Sequence, residues 1–308
     1  MRGGISSRVV DIVCCMSKFE ILHERIAASF DPLEDKPEET PESTARALYL
    51  AAAGIPASAE LALETALPEL DDSQLAVLEE LVVRRLAGEP LAHLTGRQRF
   101  MGIDFLASAD ALVPRKETEL LGKLALEKVL AAGPAARVID LCTGSGNLSI
   151  AIAARAAGAD VHAADLSPEA VALARRNAAL IGVADRVSFE VGDLFDALRR
   201  DRLAGTVDVV ICNPPYISSA KVDAMPEEIS AYEPRLAFDG GAFGLSIIGQ
   251  LLKEAPTFLK PGGWLCFEVG KGQGPYWSKA LARNASYADI ETVADAAGDI
   301  RALAARRA

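Results

Sequence analysis

The chain has 308 residues, half of them hydrophobic, with a mean hydropathy of +0.19, which is ample material for buried cores and excludes disorder as the main state. Its 32 Lys and Arg against 43 Asp and Glu leave a formal charge of −11, the opposite of the basic footprint that binds phosphate backbones, so no direct nucleic-acid partner is expected. No apolar run approaches the ~20 residues a membrane-spanning helix needs, and the run from Val9 to Met16 is broken by Asp11, so a cytoplasmic protein with no membrane partner is expected.

Residues 1–42 read as a flexible extension, because the stretch from Asp31 to Pro41 is acidic, proline-rich and poor in apolar side chains. Residues 43–95 read as a small helical domain: Leu75, Leu78, Leu81, Val82 and Leu86 recur at helical spacing, and Gly54-Ile55-Pro56 and Gly88-Glu89-Pro90 break it. Residues 96–118 read as a hairpin linker, strand-like around Gly102 from Phe100 to Leu106 and continuing into Leu112-Val113-Pro114-Arg115. From residue 119 to 308 the pattern becomes strand alternating with helix. Strands are expected at Arg137 to Cys142, Asp160 to Asp165, Arg186 to Val191, Val207 to Cys212 and Trp264 to Val269, with a weaker pair at Tyr287 to Val293 and Ile300 to Ala304. Between the second and third, Ser167 is placed as N-cap, Pro168 at the first helical position and Gly182 just past the helix end. This alternation predicts an α/β domain with a mostly parallel sheet, whose ligands sit beyond the carboxyl ends of the strands.

The cysteines are Cys14, Cys15, Cys142, Cys212 and Cys266, without a C-x-x-C pair and with only three histidines, so neither disulfides nor a metal site is expected. Cys142, Cys212 and Cys266 fall in apolar strand-like runs and read as buried thiols.

Three constellations carry chemistry. In Val138-Ile139-Asp140-Leu141-Cys142-Thr143-Gly144-Ser145-Gly146-Asn147 a buried strand opens through small residues into a helix. The two glycines let backbone approach a ligand and aim helix N-terminal amides at it. Ser149 stands where a dinucleotide fingerprint has its third glycine, which disfavours a nicotinamide cofactor, and a purely structural turn is the alternative. Asp165 ends the next strand 19 residues after Gly146, where a carboxylate accepts ribose hydroxyls; it is equally placed as a helix N-terminal acid. Asp193-Leu194, after the third strand, is placed to meet an exocyclic amine at the far end of a nucleoside, or to cap a loop. The third is Asn213-Pro214-Pro215-Tyr216, directly after an apolar strand. Two prolines hold an extended backbone with free carbonyls, Asn213 adds a side-chain acceptor and Tyr216 a flat ring, so the set suits a planar amide or amino nitrogen.

With these motifs the sequence resembles the release-factor glutamine N5-methyltransferases, the PrmC or HemK family of class I S-adenosylmethionine-dependent methyltransferases. The resemblance spans about residues 70 to 295, through Arg84-Arg85-Leu86-Ala87-Gly88-Glu89-Pro90, Pro114-Arg115-Lys116-Glu117-Thr118-Glu119, Asp140 to Gly146, Asn213 to Ile217, Tyr232-Glu233-Pro234-Arg235, Asp239-Gly240-Gly241 and Glu268-Val269-Gly270. Asn-Pro-Pro-Tyr alone is shared with amino-methyltransferases of DNA and RNA; the helical domain, the linker and the Tyr-Glu-Pro-Arg segment narrow it.

The resemblance implies a Rossmann-like sheet with one antiparallel strand, an N-terminal substrate-recognition domain, and S-adenosyl-L-methionine as methyl donor. It implies that Cys142, Thr143, Gly144, Ser145, Gly146, Asp165, Asp193, Leu194 and Asn213 surround the donor, with Arg115 and Thr118 as lid contacts. It further implies that Asn213, Pro214, Pro215 and Tyr216 hold the glutamine of a Gly-Gly-Gln loop in a translation release factor. There the Asn213 oxygen and Pro214 carbonyl accept the two amide N–H groups, and Tyr216 packs on the amide face. Departures from the family pattern at Lys116, Cys142, Phe243 and Gly298-Asp299-Ile300-Arg301 leave a small-molecule acceptor as an alternative. An adenine or ribosomal-RNA amino-methyltransferase and a donor-binding module without catalysis are further alternatives.

Overall fold

A computed structural model describes residues 18–30, 35–224 and 232–308, so Cys14, Cys15 and the Val9 to Met16 run lie outside the described residues. The chain divides into two compact units, Met1–Arg97 and Gln98–Ala308.

The first unit is helical: α1 (Lys18–Ala27), α2 (Pro41–Ala52), α3 (Ala59–Glu64), α4 (Asp72–Leu86) and α5 (Leu91–Thr95). The helix α1 lies inside the stretch read as a flexible extension, and this corrects that reading. Leu22 and Ile26, four residues apart on one face, are buried in the core with Leu48, Leu50 and Leu81. The signal was masked by the polar composition around them, since a ten-residue helix buries only one stripe. Thr40 and Ser43 close a capping box ahead of Pro41, so α2 starts two residues before the expected boundary. Arg46 joins α2 to α3 by donating to the Ala62 and Thr65 carbonyls at 2.8 and 2.7 Å, which satisfies carbonyls at the end of α3.

The second unit opens with a hairpin of β1 (Arg97–Phe100) and β2 (Ile103–Leu106). Its two-residue loop, Met101-Gly102, has positive φ at both positions, 48° and 74°, the twist that two-residue hairpins need. Then follow α6 (Thr118–Ala132), β3 (Arg137–Leu141), α7 (Asn147–Arg155), β4 (Asp160–Asp165), α8 (Pro168–Ile181), β5 (Val187–Val191), β6 (Val207–Cys212), α9 (Ser246–Phe258), β7 (Leu259–Glu268), α10 (Gly274–Ala282), β8 (Tyr287–Ala294) and β9 (Ile300–Arg307).

The seven strands are ordered β5-β4-β3-β6-β7-β9-β8, parallel throughout except for β9, which runs antiparallel to both neighbours. Alternate residues face opposite layers: Val138, Val209 and Ile211 enter one core, and Ile139, Leu141, Val210 and Cys212 the other. Strand β7 starts at Leu259, five residues before the expected Trp264, because pairing with β6 continues through a register shift near Val207 and Val209 despite Pro261-Gly262-Gly263. Ser167, Pro168 and Gly182 bound α8 as their residue types dictate, with Ser167 Oγ accepting from the Ala170 amide at 3.1 Å.

The order places β3 between β4 and β6, so the chain leaves β3 in one direction and returns on its other side. The loops after these strands diverge there and leave a crevice.

Candidate active site

A cavity of about 440 Å³ lies beyond the carboxyl ends of β3, β4, β5 and β6, within the size range of small-ligand pockets. The turn after β3 forms one wall. Thr143 N–H donates to the Ala164 carbonyl at 3.1 Å, and its hydroxyl donates to Asp140 Oδ2 at 2.6 Å, so this side chain faces inward and leaves backbone to the cavity. Cys142 and Leu194, both at the wall, are two of the four non-glycine residues with positive φ among the described residues, at 56° and 41°. Such backbone is uncommon and concentrates at ligand sites.

The two glycines of this turn do different work. Gly144 lines the cavity at φ 56°, and a Cβ there would meet no atom within 4 Å. Gly146 does not line it. A Cβ at Gly146 would come within 2.8 Å of Ile150 and 3.1 Å of Ala174, so this glycine lets the turn pack on α8.

Asp165 lines the cavity at the end of β4, accepting from the Gly144 amide at 2.8 Å and the Ser167 amide at 2.9 Å. The two carboxylate oxygens together have four lone pairs, more than these amides use, so acceptor capacity remains for a ligand hydroxyl. Burial holds its pKa above the usual carboxylate range, against the amides of Ser167, Gly144 and Leu166. Asp165 is thus both brace and wall, the two readings the sequence left open. Asp193 and Leu194 line the wall after β5, and Ser145 presents a buried hydroxyl with no hydrogen-bond partner. Asp140, fully buried, has its pKa pushed up to about 7 by desolvation, opposed by bonds from Thr143 and the Ser149 amide.

After β6, Asn213 and Pro215 line the cavity. Asn213 Nδ2 donates to Thr118 Oγ1 at 3.2 Å; among the described residues nothing donates to Asn213 Oδ1 or to the Pro214 carbonyl, so both remain acceptors. Pro214 is buried just behind the wall. Tyr216 is also set back from it: its hydroxyl donates to Glu268 Oε1 at 3.1 Å, and Gln273 Nε2 donates to its carbonyl at 3.0 Å. These two bonds anchor Tyr216 from the interior. Arg115 reaches the cavity from the loop before α6 and Thr118 from the first residue of that helix, and Arg115 Nη2 donates to both Glu233 carboxylate oxygens at 3.0 and 2.8 Å.

Sequence reasoning missed Asn177. This buried side chain on α8 donates to the Ser145 carbonyl at 2.9 Å and exchanges bonds with the Leu106 backbone, tying the glycine turn to β2. Also missed were the apolar Leu112, Leu166 and Ile247 and the polar Asn147 at the cavity. Only the side chains at the start of α7 carried a signal for this, through Asn147 directly after the second glycine.

These residues fit S-adenosylmethionine. Gly144 opens free space for a ligand backbone-on, Asp165 keeps lone pairs for ribose hydroxyls, Ser145 offers an unpartnered hydroxyl, and the apolar positions suit a purine.

Residues 133–296 match the family described as "Methyltransferase domain", and residues 27–96 match "PrmC N-terminal domain". The release factor glutamine methyltransferase of Geobacter sulfurreducens is 38% identical over 237 residues, covering 77% of this chain and 80% of that protein. That of Bradyrhizobium diazoefficiens is 36% identical over 271 residues, covering 87% and 89%. Among solved structures, the hMettl16 catalytic domain in complex with a MAT2A 3'UTR hairpin has a TM-score of 0.51 at 14% identity, covering 78% of this chain and 83% of that one, a likeness of fold alone. Fold, motifs and relatives agree: the chain belongs to the release factor glutamine methyltransferase family, whose members are S-adenosylmethionine-dependent enzymes.

Proposed function

We propose that the chain methylates the side-chain amide nitrogen of the glutamine in the Gly-Gly-Gln loop of a translation release factor, in the cytoplasm. The observation that carries this reading is the pair of open acceptors, Asn213 Oδ1 and the Pro214 carbonyl, at the edge of a cavity suited to the methyl donor. Bound S-adenosylmethionine supplies an electrophilic methyl group on a sulfonium sulfur.

The chain's own residues do the rest. A glutamine amide nitrogen is a poor nucleophile because its lone pair is delocalised into the carbonyl. Two fixed acceptors take its N–H groups, orient it, and stabilise the positive charge that develops as the bond forms, without a strong base. Asp165 accepts from the ribose, and Asp193 and Leu194 border the nucleoside end. Thr118 and Arg115 close the side toward the acceptor, and the N-terminal helical unit recognises the protein substrate. Tyr216 holds the Asn-Pro-Pro turn from behind.

The test is incubation with isotopically labelled methyl donor and purified release factor, followed by peptide mass spectrometry. Label on the Gly-Gly-Gln glutamine is expected. An unlabelled release factor, with label instead on a small amine or acid from the same extract, overturns the acceptor and leaves the donor standing.

A further inference from the structure

The Asn-Pro-Pro turn is stiff along its length. The rings of Pro214 and Pro215 lock φ at about −65°, and a following proline confines both Asn213 and Pro214 to extended backbone. The least restricted bonds after Asn213 are therefore those at the junction of Pro215 and Tyr216. A stiff segment turns as one body, so the direction of the Pro214 carbonyl depends on where Tyr216 is held.

Tyr216 is held at its ring and at its backbone. The hydroxyl donates to Glu268 Oε1 at 3.1 Å, and the ring lies flush on Gly270, where a Cβ would stand 2.9 Å from Tyr216 Cδ2. Two side-chain torsions separate these contacts from the peptide, so they fix the ring more than the chain. The bond from Gln273 Nε2, at 3.0 Å, grips the Tyr216 carbonyl itself, one residue past the prolines.

The side chain of Gln273 matches what lies on either side of it. Its backbone is seated at the start of α10, where its carbonyl accepts from the Tyr276 and Trp277 amides at 3.1 and 3.2 Å, and Trp277 is buried in the core. Its Oε1 accepts from the Gly270 amide at 3.1 Å while its Nε2 donates to Tyr216. The gap between loop and turn thus offers an N–H on one side and a C=O on the other. A carboxylate can only accept and an ammonium can only donate; an amide does both, and an amide turned over would set oxygen against oxygen. Packing does not require this chemistry, because Gln273 is only half-buried and a methionine fills similar space.

We infer that Gln273 is a positioning residue for methyl transfer: by gripping the Tyr216 carbonyl it sets the direction of the Pro214 carbonyl, one of the two acceptors that hold the reacting nitrogen. Thr118 fixes the near end of the stiff turn through Asn213, and Gln273 fixes the far end. This rests on the acceptor role given to Pro214 above. It extends that role to a residue 57 positions beyond Tyr216 that does not line the cavity.

The test compares wild type with Gln273→Glu and Gln273→Met at about pH 8, where a glutamate is charged. Glutamate still accepts from the Gly270 amide but cannot donate to Tyr216; methionine makes neither bond. A residue that only secures the Gly270 loop is therefore replaced by glutamate without loss. A residue that grips Tyr216 is replaced by neither. In both variants kcat on release factor falls about tenfold to a hundredfold, the scale of a misaligned reacting group, while the acceptor KM and the donor Kd stay within about twofold. The loss persists well below each variant's melting transition. A second measurement needs no acceptor. Pro214-Pro215 is the only pair of adjacent prolines in the sequence, so protein made with proline carrying carbon-13 at the carbonyl and nitrogen-15 has one directly bonded labelled pair, which reports the Pro214 carbonyl. Its signal shifts in both variants. A wild-type kcat in Gln273→Glu, a donor Kd that weakens as much as kcat falls, or an unmoved Pro214 signal in either variant overturns the proposal. Should wild type leave release factor unlabelled, the acceptor assignment fails by itself, and the Pro214 signal still decides whether Gln273 sets the turn.

Discussion

The turns after β3 and β6 sit side by side at one cavity and are built in opposite ways. The turn after β3 is braced mostly from nearby in sequence: Asp140 holds Thr143 and the Ser149 amide, and Asp165 holds the Gly144 amide. Its contribution to the cavity is backbone, made accessible by glycine. The turn after β6 offers one side chain and one carbonyl, and its braces come from across the chain: Thr118 to Asn213, Glu268 and Gln273 to Tyr216, and Gly240 packed against the Pro215 carbonyl, where a Cβ would stand only 2.5 Å away. A ligand-binding turn made of backbone can be short and self-contained. A turn that must aim one amide oxygen needs supports from several elements.

The contrast breaks most sharply at Asn213. Asn213→Ala should lower the methyl-transfer rate by about 10² to 10³, the cost of removing one preorganised polar group from a transition state. Donor affinity, measured by calorimetry, should fall far less. Equal losses in both would make Asn213 a donor contact and erase the difference between the turns.

The glycines come next, because they separate access from packing within one turn. Gly146→Ala should destabilise the fold by about 2 to 5 kcal/mol, combining about 1 to 2 for left-handed backbone with about 1 to 3 for crowding Ile150 and Ala174. Gly144→Ala meets no neighbour, so it carries only the backbone cost and loses donor affinity instead. Chemical denaturation alongside donor titration distinguishes them, and matching profiles for the two variants would contradict the division of labour.

Asp165→Ala should weaken donor binding by about 1 to 3 kcal/mol, since ribose hydroxyls lose a charged acceptor, while the melting transition survives. A collapse of stability with unchanged donor affinity would make Asp165 a brace only.

The smallest effect is a pH term on the β3 side. Burial raises the Asp140 pKa to about 7, so its stabilising share is full below the ordinary carboxylate range and is lost as pH rises through about 7. Asp140→Asn should flatten that decline in a series of melts from about pH 4 to about pH 8. Parallel wild-type and variant curves would place the proton elsewhere.

Where the signal is local, the amino-acid order determined the outcome. The strand positions of the parallel sheet apart from the start of β7, the bounds of α8 at Ser167 and Gly182, the hairpin around Gly102 and the two loop motifs all follow from side-chain period, capping chemistry and glycine conformation, each complete within a few residues. Tertiary structure decided what depends on partners far apart. It buried Leu22 and Ile26 in a stretch whose composition looks extended, because two apolar residues become a core face only when other helices cover them. It turned the Tyr216 hydroxyl toward Glu268, 52 residues on, and paired Arg301 with Glu117, 184 residues back. Neither pairing has a local period to reveal it, since a buried polar group takes whichever partner the packed elements bring within reach.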